Sequence, residues 1–374
     1  MSLRILLFYD SIYPGSVGGV EHRNFELARA LGARGNRVTL AGFADAPSEP
    51  APGVEILPVG PPGRLYTASG KRSTGEAVRL ARAVLRLDLG RYDVIETANI
   101  PYAHLPPLAL RCRLAGKPLV VTWYEYWGRY WRRYLGARWP VYAAIERMTA
   151  HLGTAAISSS RLTAGRVSKV RGEEVPVVPI GIPLETIRKA AAGSAAGPPL
   201  VYAGRLLREK RVDLLLEAVA RLEGIGLAIC GDGPDRGRLE DIARRLGLQE
   251  RIVFHGHLPT NVDVWRKIGE SRIAVQPSSR EGYGMFPLEA MAAGLPVVYC
   301  ESSESALSEL VEDGVQGMRT APDPGALAAA LDRLLTDEGE RRRLADNARR
   351  HAGDFDWSAV AAVTEAVFRK ALVR

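Results

Sequence analysis

"REGYGMFPLEAMAAG", residues 280–294, sets two glutamates, Glu281 and Glu289, eight positions apart. Gly282, Gly284, Pro287 and an apolar run lie between them. The short apolar stretch just before, "RIAVQPS", reads as a strand, so "SREGYGMF" is a loop at a strand's carboxyl end. Pro287 lacks an amide hydrogen and has a fixed φ, which suits the first position of a helix. Glu289 then falls in the first turn, where a carboxylate meets free N–H groups and the positive end of the helix dipole. One reading is local: Glu289 steadies its helix and Glu281 is a solvated loop residue. The glycines support another. They let the backbone come close to a ligand, and the helix N-terminus behind them can accept an anion. The carboxylates are then left to grip neutral hydroxyls.

Outward from this stretch, strand-like and helical patterns alternate. "RILLFYD" (4–10) is a continuous apolar run, followed by "GGVEHRNFELARALGARG" (18–35) with apolar residues at helical spacing. "RVTLAGF", "VEILPVG", "YDVIETA", "PLVVTWYE", "AAISSS" and "VPVVPIG" are the later strand candidates of the first half. Most are apolar throughout, the signature of a parallel sheet covered on both faces. Residues 183–199, "PLETIRKAAAGSAAGPP", turn small and Gly/Pro-rich and read as a linker. The rhythm then restarts with "PLVYAGRL", "GLAICGDG", "RIVFHGHL", "RIAVQPS" and "PVVYCES" as strands between helical segments. The fold class is therefore α/β, with two doubly wound domains, and ligands are expected at the carboxyl ends of the strands. The domains are 1–185 and 186–355, and 356–374 is an amphipathic C-terminal helix that could cross back to the first domain.

The 374 residues suit two domains at about 100–200 residues each. Three cysteines, far apart, read as reduced thiols in a cytoplasmic protein. The N-terminus has neither the apolar core nor the cleavage site of a signal peptide, and no apolar run has the length of a membrane span. The formal charge of +8 raises nucleic acid as a partner, but the arginines lie beside acids, as in "ERRRLADNARR" (340–350). An anionic small substrate or membrane surface fits this excess better. Two near-motifs fail on spacing. "GRLYTASGKRS" (63–73) is too long for a phosphate loop, and the third glycine of "GDGPDRG" (231–237) comes one residue late for a dinucleotide site.

Two further turns carry chemistry. "YAGRLLREKRVD" puts Arg205 at a strand end and Lys210 five residues later, fixed cations suited to a diphosphate, or else ordinary surface charge. "YPGSVGGVEH" sets Gly15, Gly18 and Gly19 before a helix, offering exposed N–H groups, or else simply a flexible turn.

Taken together, "GGVEHRNFELARALGARGNRVTL", "YAGRLLREKRVDLLLEA", "ICGDGPDRGRLE" and "PSSREGYGMFPLEAMAAGLPVV" resemble, in order and separation, the retaining glycosyltransferases of family 4. The resemblance spans essentially the whole chain and is densest from 200 to 317. It implies the GT-B architecture, two Rossmann-like domains facing across a cleft. It also implies a retaining hexosyltransferase that uses a nucleotide-diphosphate sugar as co-substrate, with no cofactor and no metal. By the resemblance, Glu289 would hold the nucleotide ribose. Glu281 would contact the donor sugar, helped by the amides of Gly284, Met285 and Phe286. Arg205 and Lys210 would bind the diphosphate and stabilise it as it leaves. The Gly18–Gly19 turn would approach the diphosphate and acceptor, and "HGHLP" (255–259), with His257, would flank the base. The acceptor would be a small molecule, a glycan or a lipid-linked sugar. Relatives that hydrolyse or epimerise a nucleotide sugar, or a non-catalytic binder, are the alternatives.

The sequence departs from the family pattern after "PLVVT", where many relatives carry a histidine and Tyr124 stands here. A phenol can hydrogen-bond a sugar but is not a base near neutral pH. Ile180 stands where an asparagine is frequent. Finally, residues 122–139, "TWYEYWGRYWRRYLGARW", hold four of the six tryptophans, with Arg129, Arg132 and Arg133 among them. That mixture suits a buried aromatic cluster, an acceptor cradle, or peripheral contact with the inner face of an anionic membrane.

Overall fold

The computed structural model describes residues 2–15, 19–63, 73–194 and 196–373. It contains two compact units. The first takes the chain up to Gly181 and again from Trp357, and the second is Ile182–Asp356.

Unit 1 contains β1 (Arg4–Ser11), α1 (Gly19–Ala33), β2 (Arg37–Phe43), β3 (Ser48–Ala51), β4 (Val54–Gly60), α2 (Thr74–Ala83), β5 (Val94–Ala98), α3 (Leu105–Leu114), β6 (Leu119–Trp123), α4 (Tyr130–Leu135), α5 (Trp139–Thr149), β7 (Ala155–Ser158) and α6 (Arg161–Arg171). The sheet order is β3-β4-β2-β1-β5-β6-β7. All pairings are parallel except β3 with β4. Side chains alternate across the sheet as the pleat requires. Leu6, Phe8, Ile95 and Val121 enter one core, and Ile5, Leu7, Val94 and Val120 the other.

Unit 2 contains α7 (Leu184–Ala191), β8 (Leu200–Ala203), α8 (Val212–Val219), β9 (Leu227–Cys230), α9 (Arg236–Arg245), β10 (Ile252–Gly256), α10 (Asn261–Gly269), β11 (Ile273–Gln276), α11 (Met285–Ala293), β12 (Val297–Cys300), α12 (Leu307–Leu310), β13 (Gly317–Thr320), α13 (Pro324–Thr336) and α14 (Glu338–His351). Its parallel sheet has the order β10-β9-β8-β11-β12-β13. The order reverses between β8 and β11, which is where a doubly wound sheet opens a crevice at its carboxyl edge. The last helix, α15 (Trp357–Ala371), belongs to unit 1 and packs on α1. Trp357, Val360 and Phe368 enter the core beneath β1, and Glu365 accepts from Arg34, Asn36 and Arg369.

Two expectations are corrected. The linker 183–199 contains α7, whose Leu184 and Ile187 are buried in the core of unit 2. "VPVVPIG" is not a strand. Pro176 and Pro179 lack amide hydrogens, and the segment makes only a bridge between Ser158 and Val177. Gly231 and Gly233 of "GDGPDRG", a stretch that fails as a dinucleotide motif, serve packing. A Cβ on Gly231 would lie 2.1 Å from the Gly204 carbonyl oxygen, and one on Gly233 2.3 Å from that of Leu206. These contacts join the turn after β9 to the turn after β8, with Leu206 N–H donating to the Asp232 carbonyl at 2.9 Å.

Candidate functional site

The carboxyl ends of the paired strands β8 and β11 bring Lys210 and Glu281 together. After β8, Gly204 turns the chain with φ 152 and Arg205 stands exposed. A short turn, Arg208–Lys210, ends at Arg211, which has φ 51. Left-handed backbone costs a side-chain-bearing residue about 1–2 kcal/mol, so the surrounding structure enforces this turn. It directs Lys210 toward β11. There the Lys210 Nζ lies 2.6 Å from Glu281 Oε2, with both side chains largely buried.

The loop after β11 is held on both sides. Ser279 N–H donates to the Glu209 carbonyl at 2.9 Å, and Ser302 Oγ donates to the Ser279 carbonyl at 2.6 Å. Glu281 bridges to Ser305 through its backbone. Its carboxylate also accepts from Gln276 Nε2 at 2.9 Å. Gln276, buried at the end of β11, was not anticipated from sequence; it is one polar residue closing an apolar strand. Its Oε1 is buried without a hydrogen-bond partner.

Helix α11 begins earlier than expected. Gly284, at φ 108, is the N-cap, a conformation that favours glycine, and a Cβ there would also meet Leu307 Cδ2 at 2.8 Å. Met285 and Phe286 are the first helical residues, so the amides of Gly284, Met285 and Phe286 are among those an α-helix leaves without intrahelical partners. Pro287 is third in the helix, not first; its missing N–H still falls within that unpaired set. Glu289 lies beyond the first turn, so the helix terminus does not hold it ionised. Burial instead pushes its carboxyl up to about 7. The indole N–H of Trp265, itself buried and outside hydrogen-bonding geometry, offsets only part of this. His257 is exposed just past β10, and neighbouring His255 is half-buried with its pKa lowered, first by burial and then by Lys267.

In unit 1, Gly19 is the exposed first residue of α1, while Gly18 lies outside the described residues. Tyr124 follows β6. Its hydroxyl is buried without a hydrogen-bond partner, and burial holds the phenol well above its usual pKa, with Arg23 opposing. Beneath it sits a pair that sequence reasoning missed. Arg23 Nη1 lies 2.5 Å from Glu96 Oε1, both side chains almost fully buried, and Thr122 donates to the same carboxylate. Glu96 Oε2 and Asn99 Oδ1 remain without partners. The available signal was one acid inside the apolar strand "VIETA".

The aromatic stretch packs largely on itself. Trp123 and Trp131 are buried, and Trp127 lies 4.5 Å from Trp131 and 4.9 Å from Tyr134 between ring centroids. Glu146 of α5, fully buried, accepts from the amides of Trp127 and Gly128 at 2.8 and 2.7 Å and from Tyr102 Oη at 2.9 Å, fixing the loop after Tyr124. The arginines of the stretch face water. Among the described residues, no three His, Cys, Asp or Glu side chains are grouped to hold a metal ion, and no helix is long and apolar enough to cross a membrane.

Two family models match the chain, "Glycosyltransferase Family 4" over residues 17–186 and "Glycosyl transferases group 1" over 185–351. The chain is 30% identical to glycogen synthase of Mycobacterium tuberculosis, over 98% of its own length and 94% of that protein's. Among solved structures it is similar to sucrose-phosphate synthase from Thermosynechococcus elongatus, with TM-score 0.81, 20% identity and 98% of each chain covered. It is also similar to Anabaena HepE in complex with UDP and glucose, with TM-score 0.74, 22% identity, and 98% of this chain and 100% of that one covered.

Proposed function

Because the chain belongs to the glycosyltransferases of family 4 and group 1, with the two Rossmann-like units of the GT-B fold, we propose that it transfers a hexose from a nucleoside-diphosphate sugar to an acceptor hydroxyl. In this reading configuration is retained and no metal takes part. The observation that carries it is the convergence of Lys210, Glu281 and the unpaired amides of α11 at the carboxyl edge of β8 and β11. Cations, carboxylates and oriented N–H groups together match a ligand with an anionic diphosphate between two hydroxyl-rich rings. The UDP and glucose bound by HepE support the donor class.

In the reaction, the bond between the anomeric carbon and the diphosphate oxygen breaks, and the bond to the acceptor oxygen forms on the same face. The acceptor's proton passes to the leaving diphosphate. Arg205 and Lys210 stabilise the developing charge, a role worth on the order of 10²–10³ in rate per group. Glu281 orients the sugar hydroxyls and Glu289 the ribose, with His257 beside the base. In unit 1, the Gly18–Gly19 turn approaches the diphosphate and acceptor in this reading, and Tyr124, a neutral hydrogen-bonding phenol, contacts sugar. The three buried cysteines, none in a disulfide, support a cytoplasmic setting.

The test is incubation with donor alone, then with donor and a panel of acceptors, in the presence of a chelator. Release of diphosphate only with acceptor, and a product whose anomeric proton coupling matches the donor's, is the expected result. Turnover without acceptor or an inverted product overturns the reading, and loss of activity in chelator removes the metal-free step.

A further inference from the structure

The outer face of the α4–α5 hairpin combines unpaired charge with exposed apolar side chains. Five exposed arginines, Arg129, Arg132, Arg133, Arg138 and Arg147, lie on or beside these two helices. Among the described residues, none of the five meets a carboxylate at ion-pair distance. On α14, by contrast, Arg342 pairs with Glu338, and Arg343 and the neighbouring Arg333 pair with Glu340. Between Gly128 and Ala150 the one acidic side chain is Glu146, and it is buried under backbone amides and Tyr102. The unpaired charge therefore faces outward.

Large apolar side chains are exposed on the same hairpin. Val141 is 61% exposed and Met148 54%, one face of α5 at a spacing of seven with half-buried Ile145 between them. Tyr134 and Tyr142 are exposed beside them, and both rings also meet the tryptophan cluster, Tyr134 edge-on with Trp127 and Tyr142 tilted against Trp131. Apolar and aromatic side chains bordered by unpaired arginines form the pattern of an interfacial helix, whose apolar face enters the headgroup boundary while cations meet anionic lipid. Glu146 ties the hairpin to the loop after β6 through the Trp127 and Gly128 amides, so the face is carried on a fixed element.

We infer that the α4–α5 face is a docking surface for an anionic phospholipid bilayer, on which unit 1 rests without spanning it. The charge complementarity selects the occupant. A dense cationic face with apolar side chains at its centre matches a sheet of anionic headgroups over hydrocarbon. A nucleic acid would leave Val141 and Met148 without a partner. The inference concerns location and is independent of the transfer chemistry proposed above.

The test is co-sedimentation of the full chain with vesicles of phosphatidylcholine alone and of phosphatidylcholine mixed with phosphatidylglycerol. Binding is expected to the mixed vesicles only, weakening as salt rises. Each arginine removed lowers partition about fivefold, so Arg132→Ala, Arg133→Ala and Arg147→Ala together lower it about a hundredfold. Val141→Ser with Met148→Ser lowers the binding that persists at high salt. A control with the same change in charge, Arg333→Ala, Arg342→Ala and Arg343→Ala on the paired surface, leaves partition within about twofold. Thermal unfolding establishes that each variant is folded. Failure to bind mixed vesicles, equal binding by the hairpin variants, or an equal loss in the control overturns the inference. Retention on duplex DNA without vesicle binding overturns it in favour of a nucleic acid.

Discussion

Lys210 and Glu281, 71 residues apart in the chain, form an ion pair at 2.6 Å where the strand order of unit 2 reverses. The pair links the turn after β8 to the loop after β11 and sets a cation and a carboxylate side by side. Lys210→Met is expected to lower turnover on the order of 10²–10³ and stability by only roughly 1–2 kcal/mol. In a double-mutant cycle with Glu281→Gln, the stability losses are expected to be less than additive, since either change alone breaks the same contact. Denaturant unfolding and steady-state kinetics measure both, and wild-type turnover in Lys210→Met would reduce the residue to a structural tie.

The Glu289 carboxyl, held at about 7 by burial, makes stability depend on pH. Its pKa in the folded protein lies above the ordinary value, so the folded state holds the extra proton. Stability from this group is fully present below about pH 4.5 and is lost as pH rises through about 7. Glu289→Gln, which stays neutral, is expected to be more stable than the parent at pH 8 by roughly 1–3 kcal/mol, and to match it near pH 5. Urea unfolding across that range checks it. A variant less stable than the parent at both pH values would contradict it.

Glu365 has the opposite sign. Burial raises its pKa, but hydrogen bonds from Arg34, Arg369 and Asn36 outweigh burial and bring it to about 2. The stability it contributes is therefore present above about pH 4.5 and is lost as pH falls toward 2. Glu365→Gln is expected to cost roughly 1–2 kcal/mol at pH 7, discounted for the partly exposed arginines, with the difference shrinking below pH 4. Parallel denaturation curves of parent and variant at all pH values would show that the α15 contacts are not electrostatic.

Gly231 is expected to tolerate no side chain. With φ 133 and a would-be Cβ 2.1 Å from the Gly204 carbonyl, Gly231→Ala must separate the turns after β8 and β9. A loss of roughly 3 kcal/mol or more follows from overpacking and backbone strain together. Since Arg205 sits next to Gly204, diphosphate affinity is expected to fall with stability. Thermal unfolding with and without a nucleoside diphosphate separates the two effects, and an unchanged melting temperature would refute this packing.

The alternation of apolar strands with helical patterns was legible because each central strand is buried on both faces, and the spacing of Glu281 and Glu289 marked the loop at the sheet edge. Short or atypical elements were not. Strand β3, "SEPA", is polar and carries a proline, tolerated because it lies at an edge. Strand β13, "GMRT", has four residues and no apolar run. Helix α7 was hidden by the glycines and prolines after it, though Leu184 and Ile187 mark its buried face. The start of α11 depends on the φ of Gly284, which sequence does not display, so Glu289 was read one turn too early. Gln276 and the pair of Arg23 and Glu96 join segments distant in the chain, and no local pattern announces such contacts.

The central claim, that Glu289 and Glu281 divide the donor between them, is tested most directly by calorimetric titration of Glu289→Gln and Glu281→Gln with a nucleoside diphosphate and with the corresponding nucleotide sugar. Glu289→Gln is expected to weaken both ligands alike, because both carry the ribose. Glu281→Gln is expected to spare the diphosphate and weaken the sugar donor by roughly 1–3 kcal/mol, the cost of leaving a buried hydroxyl contact unmade. Equal losses in the two variants, or loss of the plain diphosphate in Glu281→Gln alone, would contradict the assignment.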